Sequence, residues 1–164
     1  MIRIIMNVKF MFRMVLQETF VIDDSILYDL FTSDTTSDYY YNDTGGTSLA
    51  FSNGSFILTG GSNNRYFQLG SNIGITSNLA RFKGKKLTLK VDVKSITGNA
   101  RVSIYEYGGG GFIQQKDSEY SNNDVLTVTT DNAISDTLTR LYLRVQVQNT
   151  DDSVTLNNFR VLEA

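Results

Sequence analysis

The stretch KLTLKVDVKSITGNARVSIYEY, residues 86–107, decides the fold class because its side chains alternate strictly. Leu87, Leu89, Val91 and Val93 alternate with Thr88, Lys90, Asp92 and Lys94. After Gly98-Asn99, the residues Ala100, Val102 and Ile104 alternate with Arg101, Ser103 and Tyr105. A period of two belongs to a half-buried β-strand, since successive side chains point to opposite faces. A two-residue turn at Gly98-Asn99 predicts a hairpin that pairs Val93 with Ile104 and Asp92 with Tyr105. In that register both apolar sets share one face, and Lys90, Asp92, Arg101, Ser103, Tyr105 and Tyr107 share the other. Glu106 then faces inward, opposite Val91.

The same signal recurs on both sides. Upstream, residues 48–59 predict a second hairpin with an Asn53-Gly54 turn, pairing Phe51 with Phe56 and Leu49 with Leu58 as buried pairs. Arg65–Leu69 reads as a short strand and 73–85 as a loop with a helical turn at 78–82. Downstream, Gly108 to Gly111 reads as a flexible loop. No phosphate cradle is expected there, because neither Lys-Ser nor Lys-Thr follows. Phe112–Lys116 and Val125–Thr130 read as strands. Thr137–Gln148 is a long strand with Leu141, Leu143, Val145 and Val147 inward. In Val154–Leu162 the apolar parity shifts from Val154 and Leu156 to Phe159 and Val161, which predicts a β-bulge at Asn157-Asn158. Seven to ten short strands punctuated by turns predict an all-β antiparallel sandwich or barrel.

Met1–Gln17 has apolar residues at its even positions from Ile2 to Leu16, and Arg3, Lys9 and Arg13 at odd ones. The charges interrupt any signal-peptide core or membrane span. The segment reads as a long strand, with an amphipathic helix as the rival. Residues 1–17 are therefore set apart as an N-terminal strand segment, a candidate assembly arm, and 18–164 as one domain.

Composition removes several chemistries. The 164 residues contain no Cys and no His, so thiolate sites and a Ser-His-Asp triad are impossible. A net charge of −2 provides no global field for nucleic acid. The acidic residues show no convergence of the kind a glycosidase pair needs, and no enzyme is expected. Trp, the broadest ring for stacking on sugars, is absent. Asp23-Asp24 and Asp151-Asp152 lack the spacing of a calcium loop and read as solvated turn residues.

Three segments resemble the jelly-roll carbohydrate-binding modules and the wider galactose-binding-like sandwiches. They are Asp29-Leu30-Phe31-Thr32-Ser33-Asp34, the Phe82-Lys83-Gly84-Lys85 lead-in to the 86–93 strand, and Leu156-Asn157-Asn158-Phe159-Arg160-Val161. The resemblance spans about Asp29 to Leu162 and implies a jelly-roll sandwich. It also implies a structural calcium held by a carboxylate near the first strand and one in the last. Here those positions are Asp29 and Asn157, an amide where Asp is usual. No other cofactor is implied.

The candidate ligand site is the outward row of the 137–148 strand, Arg140, Tyr142, Arg144 and Gln146, joined by Tyr105 and Tyr107. Guanidinium and amide donors beside aromatic rings complement sugar hydroxyls and apolar ring faces. The competing reading is a solvated sheet face. Tyr39-Tyr40-Tyr41 is a second candidate, either entering the core or stacking on a sugar.

The expected function is a non-catalytic carbohydrate-binding or adhesion module on a virion or other extracellular surface. Its partners would be a glycan or cell-surface polysaccharide and further copies of itself or other virion proteins. The absence of a recognisable signal segment favours the virion setting. The alternative is a purely structural virion or tail-associated subunit that assembles through its N-terminal strand and has no ligand.

Overall fold

The computed structural model describes residues 26–29, 39–41, 46–52, 54–62 and 65–164. The 1–17 segment and most of the Asp29–Asp34 motif lie outside the described residues. The described chain is an antiparallel β-sandwich of jelly-roll type. Its strands are β1 (Ile26–Asp29), β2 (Tyr39–Tyr41), β3 (Ser48–Ser52), β4 (Ser55–Thr59), β5 (Tyr66–Leu69), β6 (Leu87–Thr97), β7 (Ala100–Gly108), β8 (Gly111–Asp117), β9 (Val125–Thr129), β10 (Leu138–Val147) and β11 (Ser153–Glu163). The first sheet has the order β3-β4-β11-β6-β9, with β1 also pairing β11. The second has the order β2-β5-β10-β7-β8.

The predicted 86–107 hairpin does not form. β6 pairs with β11 and β9 in the first sheet, whereas β7 pairs with β10 and β8 in the second. Both edges of each strand are already occupied, so no ladder between β6 and β7 is possible. Gly98-Asn99 is an arch that carries the chain from one sheet to the other. Both apolar sets still meet, because inner faces of stacked sheets oppose each other across the core. Leu87, Leu89, Val91, Val93, Ala100, Val102 and Ile104 are all buried. Glu106 faces inward as expected, but its register partners are Leu141 and Gln114, not Val91.

Asp152 clamps the arch. Its Oδ2 accepts hydrogen bonds from the Asn99 backbone N–H (3.2 Å), the Asn149 backbone N–H (3.0 Å) and Asn149 Nδ2 (3.1 Å). It is buried, which corrects its reading as a solvated turn residue. Gly98 has φ 75° and lies so close that a Cβ would sit 2.0 Å from Asp152 Oδ1. Only glycine satisfies both conditions.

The β3–β4 hairpin has the predicted register, with Phe51 opposite Phe56 and Leu49 opposite Leu58. Phe56 and Leu58 are buried, but Leu49 is only half-buried and Phe51 is 52% exposed. β3 is the outermost strand of its sheet, where the opposing layer no longer covers an inward side chain. The glycine run is also tighter than predicted: Gly108 pairs with Gly111, leaving Gly109 (φ 56°) and Gly110 (φ 92°) as a two-residue turn. Positive φ at both central positions is the type I′ requirement. The β11 bulge is present, since the register slips between Leu156 and Asn158. It keeps Val154, Leu156, Phe159 and Val161 all inward and buried.

The interior centres on Phe67, with Phe56 at 5.4 Å and Phe159 edge-on at 5.7 Å between ring centroids. Phe82, just past a single 3-10 turn (Leu79–Arg81), is also fully buried.

Candidate functional site

The register of the second sheet brings the sequence-predicted residues together on its outer face. Tyr107, Tyr105, Ser103 and Arg101 of β7 lie opposite Arg140, Tyr142, Arg144 and Gln146 of β10. On the other side of β10, Gln68 opposes Arg144 and Tyr66 opposes Gln146. β8 adds Phe112 beside Tyr107, Gln115 beside Tyr105 and Asp117 beside Ser103. On β5, β7 and β10 these residues alternate with core side chains such as Phe67, Val102, Ile104, Leu141, Leu143 and Val145, and the β8 residues share their face through the register with β7. Lys90 and Asp92, predicted to share this face, belong to the first sheet and lie on the opposite side of the sandwich. The arch at Gly98-Asn99 is the physical reason.

The aromatic residues form a connected set. Tyr142 is met edge-on by Tyr107 at 5.3 Å and by Tyr105 at 6.4 Å. Tyr107 in turn meets Phe112 at 5.6 Å. Arg144 is the hub of the cations. Its guanidinium carbon lies 4.4 Å from the Tyr66 centroid, 4.8 Å from Tyr105 and 5.0 Å from Tyr142. Its Nε donates to Gln68 Oε1 at 2.6 Å, which fixes the plane of the group. Arg140 lies over Tyr107 at 5.1 Å. At the other end, Arg101 donates to Gln146 Oε1 from Nε (3.2 Å) and Nη2 (3.0 Å), pairs with Asp117 at 3.4 Å and covers the Tyr120 ring at 4.8 Å. Burial raises the Tyr120 phenol above its ordinary value, against the opposing influence of Arg101 and Arg65.

Depth varies across this face. Tyr142 is 9% exposed and Ser103 1%, whereas Tyr66, Tyr105, Tyr107, Arg140 and Arg144 are half-buried. Tyr142, read from sequence as a stacking platform, is therefore the support beneath the other rings. Gly74 closes its remaining side: a Cβ there would lie 3.2 Å from the Tyr142 ring. Gly74-Ile75 reaches that position because Ile75 and Leu141 exchange backbone hydrogen bonds at 2.8 and 3.0 Å. Two polar atoms on the floor, Ser103 Oγ and Asp117 Oδ1, are buried without a hydrogen-bond partner among the described residues. Buried polar atoms are rarely left so, since each forfeits its hydration.

Tyr66, Gln68, Phe112 and Tyr120 were missed from sequence. The alternation of Tyr66 and Gln68 with Phe67 and Leu69 was the available signal for the first two. Tyr39–Tyr41 forms β2, with Tyr40 opposite Gln68 in the backbone register.

Glu106 is the one fully buried carboxylate among the described residues. Its Oε1 accepts from the Ser135 backbone N–H at 2.7 Å and its Oε2 from Gln114 Nε2 at 2.5 Å. These bonds tie the Ser135 loop and β8 to β7 and leave the group behind the sheet, away from the outer face. No three His, Cys, Asp or Glu side chains among the described residues converge on a possible metal position. No helix among them is long and apolar enough to cross a membrane.

No protein-family model matches the chain, and no curated protein sequence does. Solved structures do. The CBM22-1 xylan-binding domain of Paenibacillus barcinonensis Xyn10C superposes with a TM-score of 0.57 at 15% identity, over 84% of this chain and 94% of that one. BiXyn10A CBM1, in its apo form, gives 0.53 at 12% identity, over 86% of this chain and 100% of that one. The C-terminal family 22 carbohydrate-binding module of Clostridium thermocellum Xyn10B gives 0.53 at 12%, over 85% and 94%. At these identities the likeness is one of fold: the chain has the jelly-roll sandwich of carbohydrate-binding modules.

Proposed function

We propose that this chain is a non-catalytic carbohydrate-binding module whose ligand lies across the outer face of the second sheet. The observation that carries the reading is the layered site itself. Half-exposed Tyr66, Tyr105 and Tyr107 rest on nearly buried Tyr142, with guanidinium and amide donors between them and unpartnered polar atoms beneath. Rings with one polar end and donors held in fixed planes suit a sugar, which has an apolar ring face and a rim of hydroxyls. The fold neighbours support it: one is described as xylan-binding, and another by the role of its cleft residues in ligand binding. The non-catalytic part is supported by Glu106, whose two oxygens are both committed to structural donors.

The setting we propose is an extracellular or virion surface, where polysaccharides are encountered, with assembly into oligomers through residues 1–17. Deleting residues 1–17 and measuring mass by light scattering tests assembly separately from binding. The binding test is a glycan array followed by calorimetry, with Tyr105→Ala and Tyr107→Ala beside the unchanged protein. Affinity in the millimolar to micromolar range, about −4 to −8 kcal/mol, is expected. Silence across the array would favour the ligand-free structural subunit instead.

A further inference from the structure

We propose that the ligand of this face is an anionic polysaccharide, whose carboxylate or sulfate groups are received by Arg140 and Arg144. The inference rests on the carbohydrate-binding reading and goes beyond it by naming the charge of the ligand.

The argument begins with unmatched charge. The outward residues of β5, β7, β8 and β10 include three guanidiniums, Arg101, Arg140 and Arg144, and one carboxylate, Asp117. Asp117 is already engaged, by Arg101 at 3.4 Å and by Gln115 Nε2 at 2.7 Å. Arg140 makes no side-chain hydrogen bond or ion pair among the described residues; its guanidinium lies over the Tyr107 ring. Among the described residues Arg144 commits only Nε, to Gln68, so both terminal nitrogens meet no acceptor there. Two half-buried cations thus face outward without counter-charge among the described residues, in a chain whose overall charge is −2.

The cations are arginines, with no lysine among them. A guanidinium presents a rigid planar fork that fits the two oxygens of a carboxylate or sulfate side by side. Here the planes are set in advance, that of Arg144 by Gln68 and three tyrosine rings, and that of Arg140 by Tyr107. Preset donors lose little freedom on binding. A neutral sugar would cover these cations and leave their charge uncompensated, which is costly. An acidic sugar supplies the missing counter-charge while its ring face meets Tyr105 or Tyr107.

The test uses matched ligands on the intact chain. Calorimetry compares oligogalacturonate with its methyl ester, which has the same backbone but no charge. A second pair, carrageenan and agarose oligosaccharides, contrasts sulfated with neutral chains, and a neutral glycan panel and polyglutamate complete the set. At least about tenfold tighter binding of the charged member is expected in one pair, the difference between charge-assisted and neutral hydrogen bonds. Preference in the galacturonate pair alone identifies carboxylate as the group received, and in the carrageenan pair alone, sulfate. The preference should shrink at high salt. It should also shrink in Arg140→Gln, a variant that loses no protein hydrogen bond and keeps its melting temperature.

Equal binding of charged and neutral members, or binding of neutral glycans only, overturns the charge inference and leaves the carbohydrate reading standing. Polyglutamate binding as tightly as the acidic glycans overturns it as well. No binding of any glycan overturns both. Arg140→Gln with an unchanged preference removes Arg140 from the site.

Discussion

The two outer faces of the sandwich are built on the same scaffold and finish their side chains in opposite ways. On the first sheet, charges and hydroxyls close on one another. Arg160 pairs with Asp92 at 2.8 Å, Lys85 with Glu163 at 2.8 Å, and the Thr88 and Thr129 hydroxyls meet at 2.8 Å. On the second sheet, rings gather and two guanidiniums meet no carboxylate among the described residues, while buried polar atoms without a partner occur under both faces, Asn158 Oδ1 and Arg160 Nε on the first and Ser103 Oγ and Asp117 Oδ1 on the second. The ion pairs of the first face are those of the wet side of an antiparallel sheet. A face that leaves donors fixed and unused is arranged for something else to satisfy them.

The largest effects should come from removing what holds the two faces apart. Phe159→Ala is expected to cost about 3–5 kcal/mol and Leu143→Ala about 2–5 kcal/mol, read from urea unfolding. Either variant unfolding at the wild-type midpoint would remove its residue from the shared core. Gly98→Ala should cost about 2 kcal/mol or more, because the added Cβ collides with Asp152 at a left-handed φ. A neutral outcome there would mean that the arch tolerates another path between the sheets.

The next prediction separates support from contact within the second face. Tyr142→Ala should lower stability by about 3 kcal/mol, since nearly the whole ring is buried. Tyr107→Ala should cost under about 1 kcal/mol of stability yet weaken glycan binding by roughly tenfold or more. Parallel melts and titrations check both. The reverse ranking would place the binding surface on Tyr142.

The smallest effect should come from the first face. Arg160→Ala is expected to change stability by under about 1 kcal/mol and glycan affinity not at all, because the pair with Asp92 is partly solvated. A loss of affinity in Arg160→Ala would break the distinction between the faces.

The strands of this protein are legible in its sequence, and their neighbours are not. Alternation along residues 86–107 states which side chains point inward. A hairpin and an arch between two sheets require the same inward pattern. What separates them is competition for the strand edges by β9, β11, β8 and β10, and no local signal carries that. The site divides in the same way. The outward rows of β7 and β10 follow from period two, and they do lie side by side. Tyr66 and Gln68 join them only through the pairing of β5 with β10, which is non-local. The burial of Tyr142 depends on Gly74, Tyr105 and Tyr107 arriving from two other segments, the 70–75 turn and β7.

The position of β11 has a consequence for how the chain comes into being. Ser153–Glu163 follows the other described strands, yet it lies at the middle of the first sheet, between β4 and β6, and also pairs with β1. On a ribosome, that sheet therefore has a gap at its centre until Glu163 has emerged. β3–β4 and β7–β8 can close early as local hairpins, but β4 and β6 wait with open edges. Such long-range pairing is slow, on the order of milliseconds to seconds. During that interval the nascent chain exposes the unpaired strand edges that invite association with neighbours.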